Sequence, residues 1–213
     1  MTFAGQLLAG VLLAAGAATA WAAPALPAPQ EFYFEKDTAA TPVSVVPAEG
    51  DADALVAQLI RQRERGRKTV EATVQLADVA IGQGRTELGE KLYREALAEA
   101  PAASANGRAV RWNYGWSLLR RGDADAALAQ WQAAAGGLRG NPSWVPPTYA
   151  LALWRLGEKA EAVKWYAAAV RTEPSLWSDA SQHARLLPAW REDERTTLAQ
   201  VQAEWAASPP AWP

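Results

Sequence analysis

The chain has 213 residues, a formal net charge of −2 at pH 7, a single histidine and no cysteine. The lack of cysteine excludes disulfide bonds, thiolate metal sites and lipid attachment through an N-terminal cysteine. A net charge close to zero argues against a nucleic-acid surface built on bulk basic charge, so we expect no nucleic-acid partner.

The first 22 residues have the pattern of a secretory signal peptide. An uncharged apolar run extends from about Leu7 to Ala20, and the small residues around 18–22 fit the small-x-small rule for cleavage. No Lys or Arg precedes the run, so an uncleaved N-terminal anchor is the alternative. No later run approaches the ~18 apolar residues that a membrane helix needs. We therefore expect a periplasmic or secreted protein with no membrane span after signal removal.

Residues 23–49 are rich in proline and alanine, and the sequence favours a flexible linker there. Their only aromatic cluster is EFYFEK at 31–36. Three adjacent aromatic side chains are costly to expose. This segment could therefore be a short strand or docking peptide, or its rings could fold back onto the first helical layer.

A helix is predicted from Asp51 to about Gly66. The pentapeptide GDADA at 50–54 occurs again at 122–126, where it begins the second helix of a hairpin. Pro42 and Pro47 break the stretch before it, so the helix is the second half of a repeat that lacks its first helix. The paired Asp residues are interpreted as helix caps. The basic run at 61–68 is interpreted as a solvated helix end, with a binding patch as the alternative.

Three helical hairpins follow, at about 70–103, 108–141 and 143–176. Each has an inter-helix glycine, and a single hairpin cannot bury its own apolar surface. The second helices share a small residue, then an aromatic residue four positions later, then an alanine three positions after that. These residues are Gly89, Tyr93 and Ala96, then Ala127, Trp131 and Ala134, then Ala162, Tyr166 and Ala169. Two of these helices end at a proline, Pro101 and Pro174.

This pattern resembles the tetratricopeptide repeat family, whose unit carries W-x2-L-G-x2-Y, then A-x3-F, then P. The resemblance covers about residues 50–174 and is closest in the second helices. It implies an all-α fold for residues 50–206: a right-handed α-α superhelix of about three hairpins with an N-terminal half repeat. Residues 177–206 are predicted to form a C-terminal capping helix pair, and 207–213 a tail.

The sequence offers little for catalysis. His183 is the only histidine, so a multi-histidine metal site is excluded. No strained G-x-S-x-G nucleophile turn accompanies it, and no phosphate-binding glycine loop occurs. We expect a protein that is not an enzyme and that has no cofactor or bound metal.

In the family that the chain resembles, the first helix of each hairpin lines a concave groove. The 11 tryptophans of the chain make the corresponding positions aromatic and cationic, and Trp and Arg dominate binding hot spots. We expect the rings of Trp112, Trp116 and Trp154 to face the groove, and Trp131 and Trp165 to pack in the core. The implied partner-binding site consists of Trp112, Asn113, Trp116, Arg120, Trp144, Trp154 and Arg155.

The groove predicts binding of a protein segment. Of the residues with which this family grips a C-terminal carboxylate, only Asn113 is present, so acidic-tail binding is not expected. With Arg120 able to stack on Trp116, the surface should prefer apolar anchors flanked by Asp or Glu. We therefore expect a non-catalytic scaffold of the bacterial cell envelope that binds a protein or peptide segment. The alternative is a module that stacks peptidoglycan or exopolysaccharide sugars on exposed Trp.

Overall fold

A computed structural model describes residues 26–29, 37–48, 51–136, 138 and 142–211. Within these residues it contains ten α-helices and no β-strand, which confirms the all-α prediction. The predicted signal peptide and the aromatic segment 31–36 lie outside the described residues. The helices are α1 (Ala52–Glu64), α2 (Thr69–Gly82), α3 (Thr86–Glu99), α4 (Ala105–Arg120), α5 (Ala124–Ala135), α6 (Val145–Arg155), α7 (Lys159–Thr172), α8 (Pro174–Trp177), α9 (His183–Leu186) and α10 (Glu192–Ala207).

Consecutive helices pack in pairs, α2 with α3, α4 with α5 and α6 with α7, and α1 packs on α2. This arrangement is compatible with a helical repeat. Within the part of the chain that the structure describes, no helix is both long and apolar enough to cross a membrane.

The three inter-helix glycines end their helices in the same way. Gly84, Gly122 and Gly157 have φ of 77°, 91° and 84°, a left-handed conformation that costs glycine least. The residue after each glycine donates its N–H to a carbonyl five positions earlier, at 2.8 to 3.0 Å, which is the Schellman motif. The three hairpin turns therefore share one backbone geometry.

Aspartate caps begin α1 and α5. Asp51 accepts a hydrogen bond from Ala54 N at 3.2 Å, and Asp123 accepts one from Ala126 N at 3.1 Å. The interpretation of the two GDADA segments as helix caps is confirmed.

The small and aromatic positions of the second helices form the core between helices. The side chains of Tyr93, Trp131 and Tyr166 are all fully buried. Trp131 lies across Gly115 of α4 and donates its indole N–H to Trp112 O at 3.1 Å. Trp131 and Trp165 are core residues, as predicted.

The C-terminal region has helices in both parts of the segment where the capping pair is predicted. It consists of the short helices α8 and α9, a 3-10 turn at 180–182, and the single long helix α10. Leu198 and Val201 of α10 are fully buried, and the helix packs on α6 and α7. One long helix therefore covers the last hairpin.

Residues 37–48, which we name the strap, are packed against the helices, and for them the flexible-linker interpretation is wrong. The strap contains no helix or strand, and Ala39 and Val46 are only 8% and 5% exposed. Side chains of α2 and α4 hydrogen bond to its main chain. The proline and alanine content of this segment indicated a linker. Composition carries no information on the contacts that the strap makes with side chains of the helices.

Candidate functional site

The strap crosses the first helices of the three hairpins in reverse order. Its beginning lies at the start of α6, its middle on α4 and its end on α2, as the partners of Asp37, Val43 and Val46 show. Its polypeptide direction is therefore opposite to the order of the hairpins. The surface of α2, α4 and α6 beneath it is named here the strap-binding face.

Asn113 of α4 holds the middle of the strap. Its carboxamide oxygen accepts a hydrogen bond from Val43 N at 3.0 Å, and its Nδ2 donates to Thr41 O at 3.0 Å. Nδ2 also donates to Ala109 O of its own helix at 2.8 Å, which fixes the orientation of the amide. The side chain therefore binds peptide main chain on both sides of Pro42.

Gln75 of α2 holds the end of the strap in the same way. Its Oε1 accepts from Val45 N at 2.8 Å and Val46 N at 3.1 Å, and its Nε2 donates to Val46 O at 2.6 Å. Gln75 and Asn113 are both buried, at 6% exposed. Because these contacts involve only main-chain atoms of the strap, they recognise an extended backbone and not its side chains.

The two carboxamides, named here the carboxamide pair, occupy equivalent positions in successive hairpins. Gln75 lies nine residues before Gly84, and Asn113 lies nine residues before Gly122. The equivalent residue of the third hairpin is Thr148, whose hydroxyl donates to Trp144 O of its own helix at 2.7 Å. The first two hairpins thus have a side chain that binds the strap main chain at this position, and the third does not.

Asp37 anchors the beginning of the strap. Its side chain is 5% exposed, and its carboxylate lies 3.6 Å from Arg108 Nη2. The carboxylate also accepts hydrogen bonds from Trp144 Nε1 at 3.2 Å and from Ala39 N at 3.0 Å. A carboxylate at this position therefore meets a cation and an indole donor supplied by two different helices.

A second segment of the chain covers the other part of the predicted groove. Glu194 of α10 is fully buried and accepts from Arg120 Nε at 2.8 Å and Nη2 at 3.3 Å, and from Arg191 N at 2.7 Å. The Arg120 guanidinium also lies 5.0 Å above the Trp116 ring, as its spacing predicts. Trp190 packs edge-on against Trp116, with centroids 4.9 Å apart.

Arg155 and Trp154 also contact α10. Arg155 Nη2 lies 3.0 Å from Asp193, and Trp154 donates its indole N–H to Gln200 at 3.2 Å. Lys159 lies over the Trp154 ring at 4.9 Å. The two arginines of the predicted site therefore hold carboxylates of the same helix.

The predicted site residues thus form two groups. Trp112, Asn113 and Trp144 lie at the strap, whereas Trp116, Arg120, Trp154 and Arg155 lie at residues 190–200. The expectation of ring faces open to the groove is wrong for Trp112 and Trp116, which are 8% and 4% exposed. Their rings are enclosed by helix packing, Trp131 and Trp190.

Open space remains on both sides of the strap at Pro42. A cleft of about 440 Å³ separates the strap from α2 and residues 189–191, and one of about 430 Å³ lies toward α6 and residues 186–190. Pro42, Trp112, Ala189 and Trp190 border both clefts. The middle of the strap is therefore accessible from both flanks.

Asp78 lies in the first of these clefts and has a perturbed pKa. Burial against the surrounding protein raises the pKa of its carboxyl to about 6, although the hydrogen bond from Tyr93 and the nearby Arg120 act in the opposite direction. Tyr93 Oη donates to Asp78 Oδ1 at 2.5 Å. The carboxylate therefore has a structural partner within the hairpin.

His183 is buried, at 2% exposed, with its Nε2 2.9 Å from Tyr166 Oη. Its ring also packs against that of Trp177. Burial lowers the pKa of the imidazole below 6.5, outweighing the raising effects of Asp179 and the Arg195 backbone. This arrangement places His183 in the packing of the C-terminal region.

The buried imidazole makes stability depend on pH. The unfolded chain binds the proton at higher pH than the native chain. The free energy of unfolding should therefore fall as pH drops below 6.5, by at most about 1.4 kcal/mol per pH unit. Urea unfolding of the native chain and of His183→Gln at pH 7.5 and 5.5 should show this loss only in the native chain. Asp78, whose pKa is raised, acts with opposite sign in both proteins, so the difference between them isolates His183. Parallel pH profiles would contradict the assignment.

Two residues of the strap-binding face, Gln75 and Arg108, were not predicted from the sequence. Asp37 of the strap was not predicted either. The signal for Gln75 was its position nine residues before the glycine, shared with Asn113. Among the described residues, no group of three or more His, Cys, Asp or Glu side chains could hold a metal ion.

Comparisons with known proteins identify no relative of this chain. No protein-family model matches the sequence, and no curated protein or solved structure matches it either.

Proposed function

We propose that this protein is a non-catalytic scaffold that binds an extended segment of another protein across the strap-binding face. In this proposal the chain is an exported bacterial protein of the cell envelope, periplasmic or secreted, with residues 1–22 as its signal peptide. Its hairpins form a right-handed superhelix of the tetratricopeptide repeat kind. The consecutive helix pairs and the repeated glycine turns support that arrangement.

The observation that carries the proposal is the carboxamide pair. Five hydrogen bonds from Gln75 and Asn113 reach main-chain atoms of the strap. An extended polypeptide has unpaired N–H and C=O groups that need such partners when a surface covers them. The face therefore has the chemistry to bind peptide backbone, and the strap is the segment that it holds in this structure.

The glycan alternative has less support. Sugar binding needs an open aromatic face, but Trp112 and Trp116 are enclosed and Lys159 lies over Trp154.

Replacing the carboxamide pair tests the proposal. The mature chain immobilised in a periplasmic extract should capture a partner, and Gln75→Ala/Asn113→Ala should lose it. Each side-chain hydrogen bond contributes about 0.5 to 1.5 kcal/mol net. The double variant should therefore weaken binding by about 2 kcal/mol or more, roughly thirtyfold. Titration of the captured partner against both proteins measures this difference.

The matched control is Gln83→Ala/Asn106→Ala. These residues have the same side chains, lie at the C-terminal cap of α2 and on α4, and are exposed. The control should bind the partner as the native chain does. Equal capture by all three proteins would overturn the strap-binding face as the binding site.

A further inference from the structure

The strap is half exposed, although it covers much of the binding face. It has no helical or strand pairing, and six of its twelve residues are exposed, namely Thr38, Thr41, Pro42, Ser44, Pro47 and Ala48. Its inward contacts are made by Asp37, by the small apolar side chains of Ala39, Ala40, Val43, Val45 and Val46, and by the carboxamide pair. Segments with few buried contacts open at low free energy, so the strap is the part of this face most easily released.

The docked strap also leaves polar groups unpaired beside it. The indole nitrogens of Trp112 and Trp116 and the hydroxyl of Ser117 are buried without a hydrogen-bond partner. All three residues border the cleft next to Pro42. Buried donors without acceptors are unfavourable, so the strap-bound arrangement does not satisfy this surface completely.

The geometry points to a defined class of partner. We propose that an extended segment of a partner protein replaces the strap and is held through the same contacts. This inference rests on the proposed function and names the chemistry of the ligand. The segment carries Asp or Glu six residues before the amide that Asn113 binds, and a small β-branched residue at the position of Val46. It runs from α6 to α2.

The positive charge of Arg108 near the α6 end explains why the partner segment needs an acidic residue there. Without the strap carboxylate, the Arg108 guanidinium is left without its only described carboxylate neighbour, and Trp144 Nε1 loses its acceptor. A partner segment with a neutral residue there would leave these donors unsatisfied, which selects against it.

A labelled peptide with the strap sequence, residues 37–48, is the probe. Fluorescence anisotropy measures its binding to the full mature chain and to the strap-weakened variant Asp37→Ala/Val46→Ser. The weakened variant should bind about tenfold more tightly, because a docked strap leaves only a fraction of chains competent to bind. Adding Gln75→Ala/Asn113→Ala should weaken peptide binding by roughly thirtyfold, through loss of the same hydrogen bonds. A peptide with alanine at the Asp37 position should bind about tenfold more weakly.

Two controls keep the result interpretable. Thr38→Ala/Ser44→Ala changes exposed strap residues and should leave peptide affinity at the native level. If the weakened variant loses its helical circular dichroism, Asp37→Asn removes the charge while keeping a side-chain oxygen for Ala39 N, and the same tightening is expected.

Three results would overturn the inference. The first is that the peptide does not bind to the folded weakened variant. The second is that the peptide with alanine at the Asp37 position binds as tightly as the original peptide. The third is that the native chain forms strap-exchanged dimers in sedimentation, which would make a second copy the occupant. If the peptide does not bind but capture of a partner from the periplasmic extract still depends on the carboxamide pair, the proposed function stands and this inference alone falls. If the peptide binds but capture ignores the pair, the proposed function falls.

Discussion

Replacing Arg120 with alanine is expected to lower the free energy of unfolding by about 3 to 5 kcal/mol, because the variant leaves a buried carboxylate without its counter-charge. Glu194 is fully buried and receives two hydrogen bonds from Arg120. Only the Arg191 N–H would remain to it in the variant. The Arg120 stacking on Trp116 is lost as well. Urea unfolding followed by circular dichroism measures the change.

The matched comparison is Arg155→Ala. Arg155 also pairs with a carboxylate of α10, but its partner Asp193 is 67% exposed. Ion pairs in solvent contribute little, so this variant should lose about 1 kcal/mol or less. Equal losses in the two variants would show that the burial of Glu194 has no energetic consequence.

The second large effect is expected at Gly115, where alanine should destabilise the chain by about 2 to 3 kcal/mol through overpacking. A Cβ atom there would lie 2.2 Å from Trp131 Nε1 and 2.6 Å from its Cδ1. The indole cannot move away easily, because it is fully buried and donates to Trp112 O. Thermal or urea unfolding of Gly115→Ala checks this prediction.

Gly82→Ala provides the control on another first helix. Nothing lies within 4 Å of a Cβ built at this position, and its φ is not positive. Alanine should therefore leave stability unchanged or raise it by up to about 1 kcal/mol through the lower backbone entropy of the unfolded chain. A comparable loss in both variants would show that the cost at Gly115 comes from something other than the Trp131 contact.

The hairpins could be predicted from the sequence because their determinants are local. The glycines at 84, 122 and 157 require a left-handed backbone, and the Asp residues at 51 and 123 cap the helices that follow them. The aromatic positions on second helices recur with helical spacing, which also predicted the buried Trp131. The C-terminal region lacks this repetition, so only a pair of capping helices was predicted there, and the division of its first part into α8, a 3-10 turn and α9 was not.

The candidate site could be predicted in part. The resemblance to the tetratricopeptide repeat family implied the groove positions of Asn113, the tryptophans and both arginines, and their aromatic and cationic character indicated a preference for apolar anchors flanked by carboxylates. Residues 190–194 of the chain itself have that character, with Trp190 followed by Asp193 and Glu194. The strap was not predicted, because an extended segment bound through its main chain has no hydrophobic period. Long-range pairs such as Asp37 with Trp144 leave no local signal.

The order in which the chain is synthesised determines when the strap can dock on its helices. Its hydrogen bonds to the helices join residues 29 to 107 positions apart, whereas each hairpin closes within a single turn of a few residues. Contacts of such long range form slowly, because the intervening chain must first be ordered. The strap is synthesised before every helix that binds it, and Asp37 has no Trp144 to meet until α6 exists. The strap therefore emerges before the helices that bind it but docks after them, and each new molecule passes through a stage in which its strap-binding face is uncovered.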